Sequence, residues 1–323
     1  MIDRLRDDIL DNQMDVIRYE AETARERRDR VKQIIETIVA LVLMRNPWAV
    51  TMLYARQRRL EALLGDMGSQ VREAYAAMAD EALIDSGDLA DIQTAAMDQA
   101  LGRALGDQQD DRRRRKPPFD VADLMLFGAT LKTWYERQAQ DLLWRARLAL
   151  QNAIARSMSL DDVIAALRGI QVSAEANADA LIRSFVQEVA ASSAMAVYRS
   201  NADTINGLVQ VSVMDSRTTA ICRRYNGATW DLDGAPILGN QLPFDGGTPR
   251  HWGCRSIILP LVNGVMPSDI TFEDWLNSRP EARQRDILRG RYDMWRRGAL
   301  SPADALDQRG NPITLDEMRS RYG

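Results

Sequence analysis

The sequence predicts a mostly α-helical protein with a small α+β C-terminal module: an extended helical N-terminal region followed by a compact domain with a few short strands. The first observation behind this fold class is the distribution of helix-breaking residues. No proline lies between Pro118 and Pro236, eight of the eleven prolines lie at Pro236 or beyond, and glycine becomes frequent from Gly207 onward. Because proline and glycine interrupt helices, the first two thirds of the chain should be helical and the last third rich in loops.

The second observation is a change in hydrophobic period. Val209, Val211 and Val213 alternate with other residues, which is typical of a half-buried strand. Residues 255–262 form a second apolar run, and the segment between the two runs is rich in glycine, proline and aspartate. We therefore expect two strands joined by a long irregular loop. Ordered loops of this length are usually functional or stabilised by something else.

The predicted helices follow from apolar residues at helical spacing. Breaks are predicted at Pro47, at 65–68 and at 86–88. The helical segments are 2–44, 48–64, 70–84, 89–105, 121–157, a short helix from Ser159, 174–201, 271–276, 281–297, a turn from Ser301, and 314–321. The last of them starts with Thr314 and Glu317, whose side chains can form a capping box.

A charged run followed by two prolines predicts a linker at 110–118, since neither prolines nor the residue before them continue a helix. This divides the chain into a helical arm (1–116), a domain that contains helices and then the α+β module (117–262), and a helical tail (263–323). The basic part of the run, 112–116, could neutralise several phosphates, but the neighbouring aspartates offset much of its charge.

Composition excludes several classes of protein. The 42 basic and 46 acidic residues give a formal charge of −4, which argues against a chain-wide cationic surface for nucleic acid. Two cysteines are too few for a disulfide-stabilised scaffold, and a single histidine, His251, excludes mechanisms that need several imidazoles. No P-loop, GxGxxG, HExxH or GxSxG motif occurs.

Targeting and membrane segments are not predicted. The first ten residues contain five charged residues and no apolar segment of the kind found in signal peptides. The most apolar stretch, 34–44, is interrupted by Glu36 and Thr37 and is too short to span a bilayer. We expect no membrane association and synthesis in a reducing cytoplasm.

Cys222, His251 and Cys254 are all the cysteine and histidine of the chain, and they fall within 33 residues. Thiolate and imidazole are the ligands that zinc prefers, and a His-x-x-Cys pair can present both from one tight turn. The pattern predicts a structural Zn²⁺ site. Asp215, near the start of the segment that carries Cys222, is expected as the fourth ligand or as a hydrogen-bond partner of the imidazole. Its other interpretation is a helix cap that accepts hydrogen bonds from the first-turn amides.

Other interpretations of the same three residues stay open. A Cys222–Cys254 disulfide would not persist in a reducing cytoplasm, and buried free cysteines also occur simply as small apolar residues. A deaminase-type catalytic zinc needs a glutamate two residues after the histidine, where this chain has Gly253. A Cys–His nucleophile is conceivable, although spacing identifies no third group to orient the base.

This segment resembles the phage head morphogenesis family, the Mu F-like minor head proteins. The matching residues are Val211 to Val213, Asp215, Arg217, Thr218, Cys222, Gly227, His251, Cys254 and Arg255. The family's last motif is Cys-Arg-Cys, where this chain has Cys254-Arg255-Ser256, and of the family's Arg-Thr-Glu helix only Glu188 matches. Segments 271–276 and 310–315 are also similar to minor head proteins, and the likeness covers roughly residues 142–323.

The resemblance implies a virion component of a tailed phage and not an enzyme. It would be present in several copies at the head or portal vertex, assembled in the host cytoplasm with the portal and major capsid proteins, and would act in head assembly and in packaging or delivery of DNA. Two alternatives remain: a metal-dependent hydrolase or toxin-like transferase that uses His251, and an internal virion protein that binds DNA through residues 112–116.

Overall fold

The structure is a computed structural model that describes residues 1–47, 53–106, 119–212, 218–268, 272–300 and 313–323. It is 71% helical, with two small antiparallel sheets, which confirms the predicted fold class. The helices are α1 (Ile2–Arg45), α2 (Leu53–Leu105), α3 (Leu131–Ala155), α4 (Leu160–Ser200), α5 (Ala220–Tyr225), α6 (Phe272–Ser278), α7 (Glu281–Leu288), α8 (Tyr292–Arg296) and α9 (Leu315–Tyr322). The strands are β1 (Met125–Leu126), β2 (Ala129–Thr130), β3 (Ile205–Val211), β4 (Thr229–Trp230) and β5 (Ile257–Val262).

Helix α2 runs without interruption, so the breaks predicted at Gly65, at Gly68 and at the turn 86–88 are wrong. A glycine inside a helix costs roughly 1 kcal/mol relative to alanine. The buried residues that recur along α2, such as Val71 and Leu89, stabilise the helix by more than that local cost.

Helix α4 is likewise one element. Its predicted start is confirmed, because Ser159 Oγ accepts a hydrogen bond from the backbone N–H of Asp162 at 3.2 Å. The predicted gap before residue 174 is absent, since apolar residues such as Leu167 and Leu181 stay buried along the whole helix.

The single helix predicted over 121–157 is also incorrect at its start. A short 3₁₀ turn and the β1–β2 hairpin precede α3. Phe127 and Gly128, the two residues between the strands, both have positive φ angles (48° and 83°). Such angles fit the tight turns that join antiparallel strands. Leu148, predicted to be buried on this helix, is exposed.

The chain forms two compact units, each discontinuous in sequence. One contains residues 1–22, 85–121 and 183–323, and the other contains 23–84 and 122–182. The three consecutive domains predicted from the helix-breaking residues stay a prediction, because the compactness of a unit does not show whether one of its segments folds alone.

The unit that contains residues 183–323 is built on the sheet β4-β3-β5, in which all pairs are antiparallel. The predicted strands are confirmed, although Val213 lies outside the described residues. The side chains of Leu208, Val209 and Gln210 are all buried, so β3 is covered on both faces and not half-buried as predicted. Helices α1, α2 and α4 share its core through residues such as Leu5, Met97 and Tyr198.

The C-terminal helices pack against α1 in the same unit. A second apolar cluster joins Met14 and Ile17 of α1 to Trp275 of α6 and Trp295 of α8. The predicted 281–297 helix is divided into α7 and α8 by a 3₁₀ turn, and the turn predicted at Ser301 lies outside the described residues. At the start of α9 the capping box of Thr314 and Glu317 forms as predicted.

The described residues of the other unit are mostly helical, and their strands are those of the β1–β2 hairpin. Its interior includes Ile35, Met67 and Tyr135. Arg168 and Glu36 form an ion pair on its surface at 3.1 Å, and both side chains are about half exposed, so the pair contributes little to stability. Among the described helices of the whole chain, none is both long and apolar enough to span a bilayer.

Candidate metal centre

Cys222 is positioned by α5, the short helix that follows β3. The helix begins after Thr219, whose hydroxyl accepts a hydrogen bond from the backbone N–H of Cys222 at 3.5 Å. Ser212, just past the end of β3, donates its hydroxyl to the Cys222 carbonyl oxygen at 3.0 Å. The cysteine side chain is therefore held against the end of the central strand, and the residue is 2% exposed.

His251 and Cys254 lie at the two ends of one tight turn, which leads into β5. The backbone N–H of Cys254 donates to the carbonyl oxygen of His251 at 3.1 Å and closes the turn. Gly253 has a φ angle of +69°, a conformation that other L-residues rarely adopt. Its N–H donates to Ser184 Oγ of α4 at 2.9 Å, which fixes the turn on the helix.

Arg250 anchors the residue before this turn. Its guanidinium lies 3.6 Å above the ring of Tyr225 in α5, and its Nε donates to Gln210 Oε1 of β3 at 2.7 Å. It also forms an ion pair with Asp245. This one side chain therefore connects α5, the sheet and the loop.

The structure brings the three side chains to one point. Cys222 Sγ lies 3.1 Å from His251 Nε2 and 3.7 Å from Cys254 Sγ. The three ligand atoms all lie within 4.8 Å of one another, and the group could hold a metal ion. The cysteines are buried, whereas His251 is partly exposed.

The hydrogen bonds of His251 favour metal binding. Its Nδ1 lies 2.9 Å from the carbonyl oxygen of Trp252, and because a carbonyl can only accept, Nδ1 carries the proton. Nε2, which faces the sulfurs, is then the bare nitrogen with a lone pair available. Histidine ligands in metalloproteins are commonly oriented in this way by a hydrogen bond from the other ring nitrogen.

Several donors surround the two sulfurs. Hydrogen bonds from Cys254, and also from the Ser256 and Thr219 side chains, hold the pKa of Cys222 well below the ordinary value for a thiol, although burial opposes them. The same contact with Cys222, together with burial, raises the pKa of Cys254. The pair therefore gives up its first proton readily and its second only when another positive charge compensates it, as a divalent cation would.

The distances can be compared with those of a tetrahedral zinc site. Zn–S bonds of about 2.3 Å and Zn–N bonds of about 2.0–2.1 Å place two sulfurs about 3.8 Å apart and a sulfur and nitrogen about 3.6 Å apart. The observed S–S distance of 3.7 Å already fits, and the S–N distance of 3.1 Å would have to lengthen by about 0.5 Å.

Both cysteines are free thiols, and their separation is much longer than a disulfide bond of about 2.05 Å. Asp215, the predicted fourth ligand or imidazole partner, lies outside the described residues, as does the basic run 112–116. Sequence reasoning did not find Thr219, Arg250 or Ser256. Of these three, only Thr219 could have been recognised from the sequence, because a threonine three residues before a helical cysteine is a common N-cap.

Comparison with protein-family models, with curated proteins and with solved structures gives no match to this chain. The function is therefore inferred from the chain's own residues and from the motif resemblance described above.

Proposed function

We propose that the chain is a minor head protein of a tailed phage, whose C-terminal module is stabilised by one structural Zn²⁺ bound by Cys222, His251 and Cys254. The observation that carries the proposal is the convergence of every cysteine and histidine of the chain on one point. In a chain that resembles minor head proteins at the same residues, such a centre serves to join the Cys222 helix to the His251–Cys254 turn.

The physical role of the metal follows from what surrounds it. The segment between α5 and β5 contains only the two-residue strand β4 and is otherwise irregular. Its backbone ordering is unfavourable by roughly 1–2 kcal/mol per residue. A structural zinc in a small site contributes binding free energy directly to folding. The metal would then join the Cys222 helix to the His251–Cys254 turn, at the end of a loop whose Trp230 and Phe244 already pack into the core of the sheet.

The zinc is tested by elemental analysis and by thermal unfolding of the purified chain. We expect about one equivalent of zinc per chain and a lower melting temperature after chelation. The double variant Cys222→Ser, Cys254→Ser should lack the metal, and chelator should no longer shift its melting temperature. A wild-type chain that is folded, free of metal and unaffected by chelator contradicts this part of the proposal.

The role in the phage head is tested separately by co-expression with the portal protein of the same genome and pull-down of the complex. The full chain must be used, because Leu5 and Met97 belong to the same apolar core as the sheet, and deletion of 1–116 would open that core. Co-purification of the two proteins is expected. Failure to co-purify with either the portal or the major capsid protein contradicts the assignment.

A cysteine nucleophile is the second candidate, because the 3.1 Å contact between Cys222 and His251 and the lowered pKa of Cys222 are also what a thiolate–imidazole pair requires. His251→Ala distinguishes the two. Loss of a hydrolase or transferase activity at an unchanged melting temperature favours the nucleophile, whereas loss of metal and of thermal stability favours the structural site.

A further inference from the structure

The two cysteines of the candidate metal centre are in direct contact with each other. Cys222 Sγ lies 3.7 Å from Cys254 Sγ, a separation at which no further atom fits between the two sulfurs. The chain contains no other cysteine, so each of these thiols is the only disulfide partner that the other has within the chain.

The pair is shielded from other protein molecules, but it lies beneath a turn at the surface. Cys222 is 2% exposed and Cys254 is 1% exposed, so neither thiol can meet a thiol of a second folded chain. In the turn, Trp252 and Gly253 are exposed and His251 is partly exposed. Because Cys222 Sγ lies 3.1 Å from Nε2 of that imidazole, a small oxidant is expected to approach the sulfur from the side of the turn.

Hydrogen peroxide is an oxidant of suitable size, and its reaction with the pair balances in two steps. One thiol takes an oxygen atom from the peroxide, which gives a sulfenic acid and one water molecule. The second thiol then attacks that sulfur, the S–S bond forms, and the sulfenic oxygen leaves as a second water molecule. The two thiols together lose two electrons and two protons, and the peroxide is reduced to water.

The disulfide and the metal exclude each other. Zinc binds cysteine as a thiolate. A disulfide removes both thiolates and leaves only His251 of the three clustered ligands, so oxidation must release the metal. The S–S bond of about 2.05 Å brings the sulfurs about 1.6 Å closer than they are now. Like the metal, it links α5 to the turn that leads into β5.

We propose that Cys222 and Cys254 form a redox switch: under reducing conditions they bind Zn²⁺ together with His251, and hydrogen peroxide converts them to a disulfide and releases the metal. This rests on the zinc site and the virion role proposed above. A virion protein assembled in a reducing cytoplasm and then released from the cell meets both conditions. The Cys222 helix stays linked to the turn in each of them.

The switch is tested by treating the full, zinc-loaded chain with hydrogen peroxide in the presence of a chromophoric zinc indicator. We expect about one equivalent of zinc to be released for each disulfide formed, a mass lower by about 2 Da, and no free thiol in the unfolded product. Peptide mapping without reductant should link Cys222 to Cys254. Chelator should lower the melting temperature of the reduced chain and leave that of the oxidised chain unchanged.

The matched control is Cys254→Ser, in which Cys222 has no partner. Peroxide should then add oxygen atoms to Cys222, and the mass should rise instead of falling. In the wild type, three outcomes overturn the switch while the zinc site stands: thiols that stay reduced in excess peroxide, oxygen addition without a disulfide, and a disulfide that forms while zinc remains bound. A reduced wild-type chain that binds no zinc overturns the zinc site, and the switch falls with it.

Discussion

Glu188 of α4 shows how burial changes the chemistry of one side chain. Burial raises the pKa of this carboxyl group to about 7, although a hydrogen bond from Ser192 Oγ at 3.1 Å opposes the shift. In the unfolded chain the carboxyl has its ordinary pKa of about 4.5. Below that pH the carboxyl is protonated in both states, so it does not affect stability; as the pH rises towards 7, the unfolded state ionises first and stability falls.

Glu188→Gln should therefore stabilise the protein at pH 8 by roughly 3 kcal/mol and have little effect at pH 4. The amide oxygen keeps the bond from Ser192 while removing the buried charge. Chemical denaturation at the two pH values measures the difference. Ser192→Ala is the matched variant: it should enlarge the loss of stability between pH 4 and pH 8, and equal stability of Glu188→Gln and wild type at pH 8 contradicts the argument.

Among the elements, α2 departs furthest from its predicted form. The glycines that predicted helix ends have helical backbone angles, and a methyl group added at Gly65 would meet no atom within 4 Å. Elsewhere the local signals are accurate, as at Ser159 and at Thr314. A capping residue fixes a helix end by its own hydrogen bond, whereas a glycine only lowers the stability of a helix that other contacts can restore.

Gly65→Ala should stabilise the protein by about 0.5–1 kcal/mol, because alanine reduces the conformational freedom of the unfolded chain and fits a helix. Thermal or urea unfolding provides the measurement. Gly234→Ala is the contrasting variant and should destabilise, since Gly234 has a φ angle of +89° and its added methyl would lie 3.2 Å from Phe244. A destabilised Gly65→Ala would mean that the helix ends there after all.

On the scale of the whole molecule, charged side chains connect the two ends of the chain. Asp15 of α1 is fully buried and accepts from Arg18 at 3.0 Å, from Arg321 of α9 at 2.7 Å and from the hydroxyl of Tyr322 at 2.8 Å. Asp286 of α7 pairs with the same arginines. Burial raises the pKa of Asp286, but the charges of Arg18 and Arg321 outweigh it and hold the pKa below its ordinary value.

Asp15→Asn should destabilise the protein by roughly 1–3 kcal/mol, because Arg18 and Arg321 lose their buried carboxylate partner and keep Asp286. The free energy of unfolding at pH 7 measures this loss. Asp316→Asn, at an exposed pair with Arg319, is the control and should change stability by less than about 1 kcal/mol.

The lowered pKa of Asp286 also predicts a dependence of stability on pH. A carboxyl whose pKa is lower in the folded than in the unfolded chain stabilises the fold fully only above its pKa in the unfolded chain. The contribution of Asp286 to the free energy of unfolding should therefore be lost as the pH falls below about 4.

The sequence by itself determined the fold class, the two long strands and the helix starts at Ser159 and Thr314. These features depend on the hydrophobic period, on helix-breaking residues and on helix caps, all of which are set largely by residues close together in the sequence. It also singled out Cys222, His251 and Cys254 as a group, because their types and spacing are unusual together. That the three lie close together in space was decided by the tertiary structure.

Only the tertiary structure decided that α2 and α4 continue through their glycines, that β3 is buried on both faces, and that Gly253 is held on α4. Each depends on residues distant in the chain. Gln210 is buried on a strand that other elements cover on both faces, and the N–H of Gly253 meets Ser184 across 69 residues. Packing between distant residues contributes more to the free energy of folding than local propensity does. The residue pattern of a single sequence carries little information about such packing.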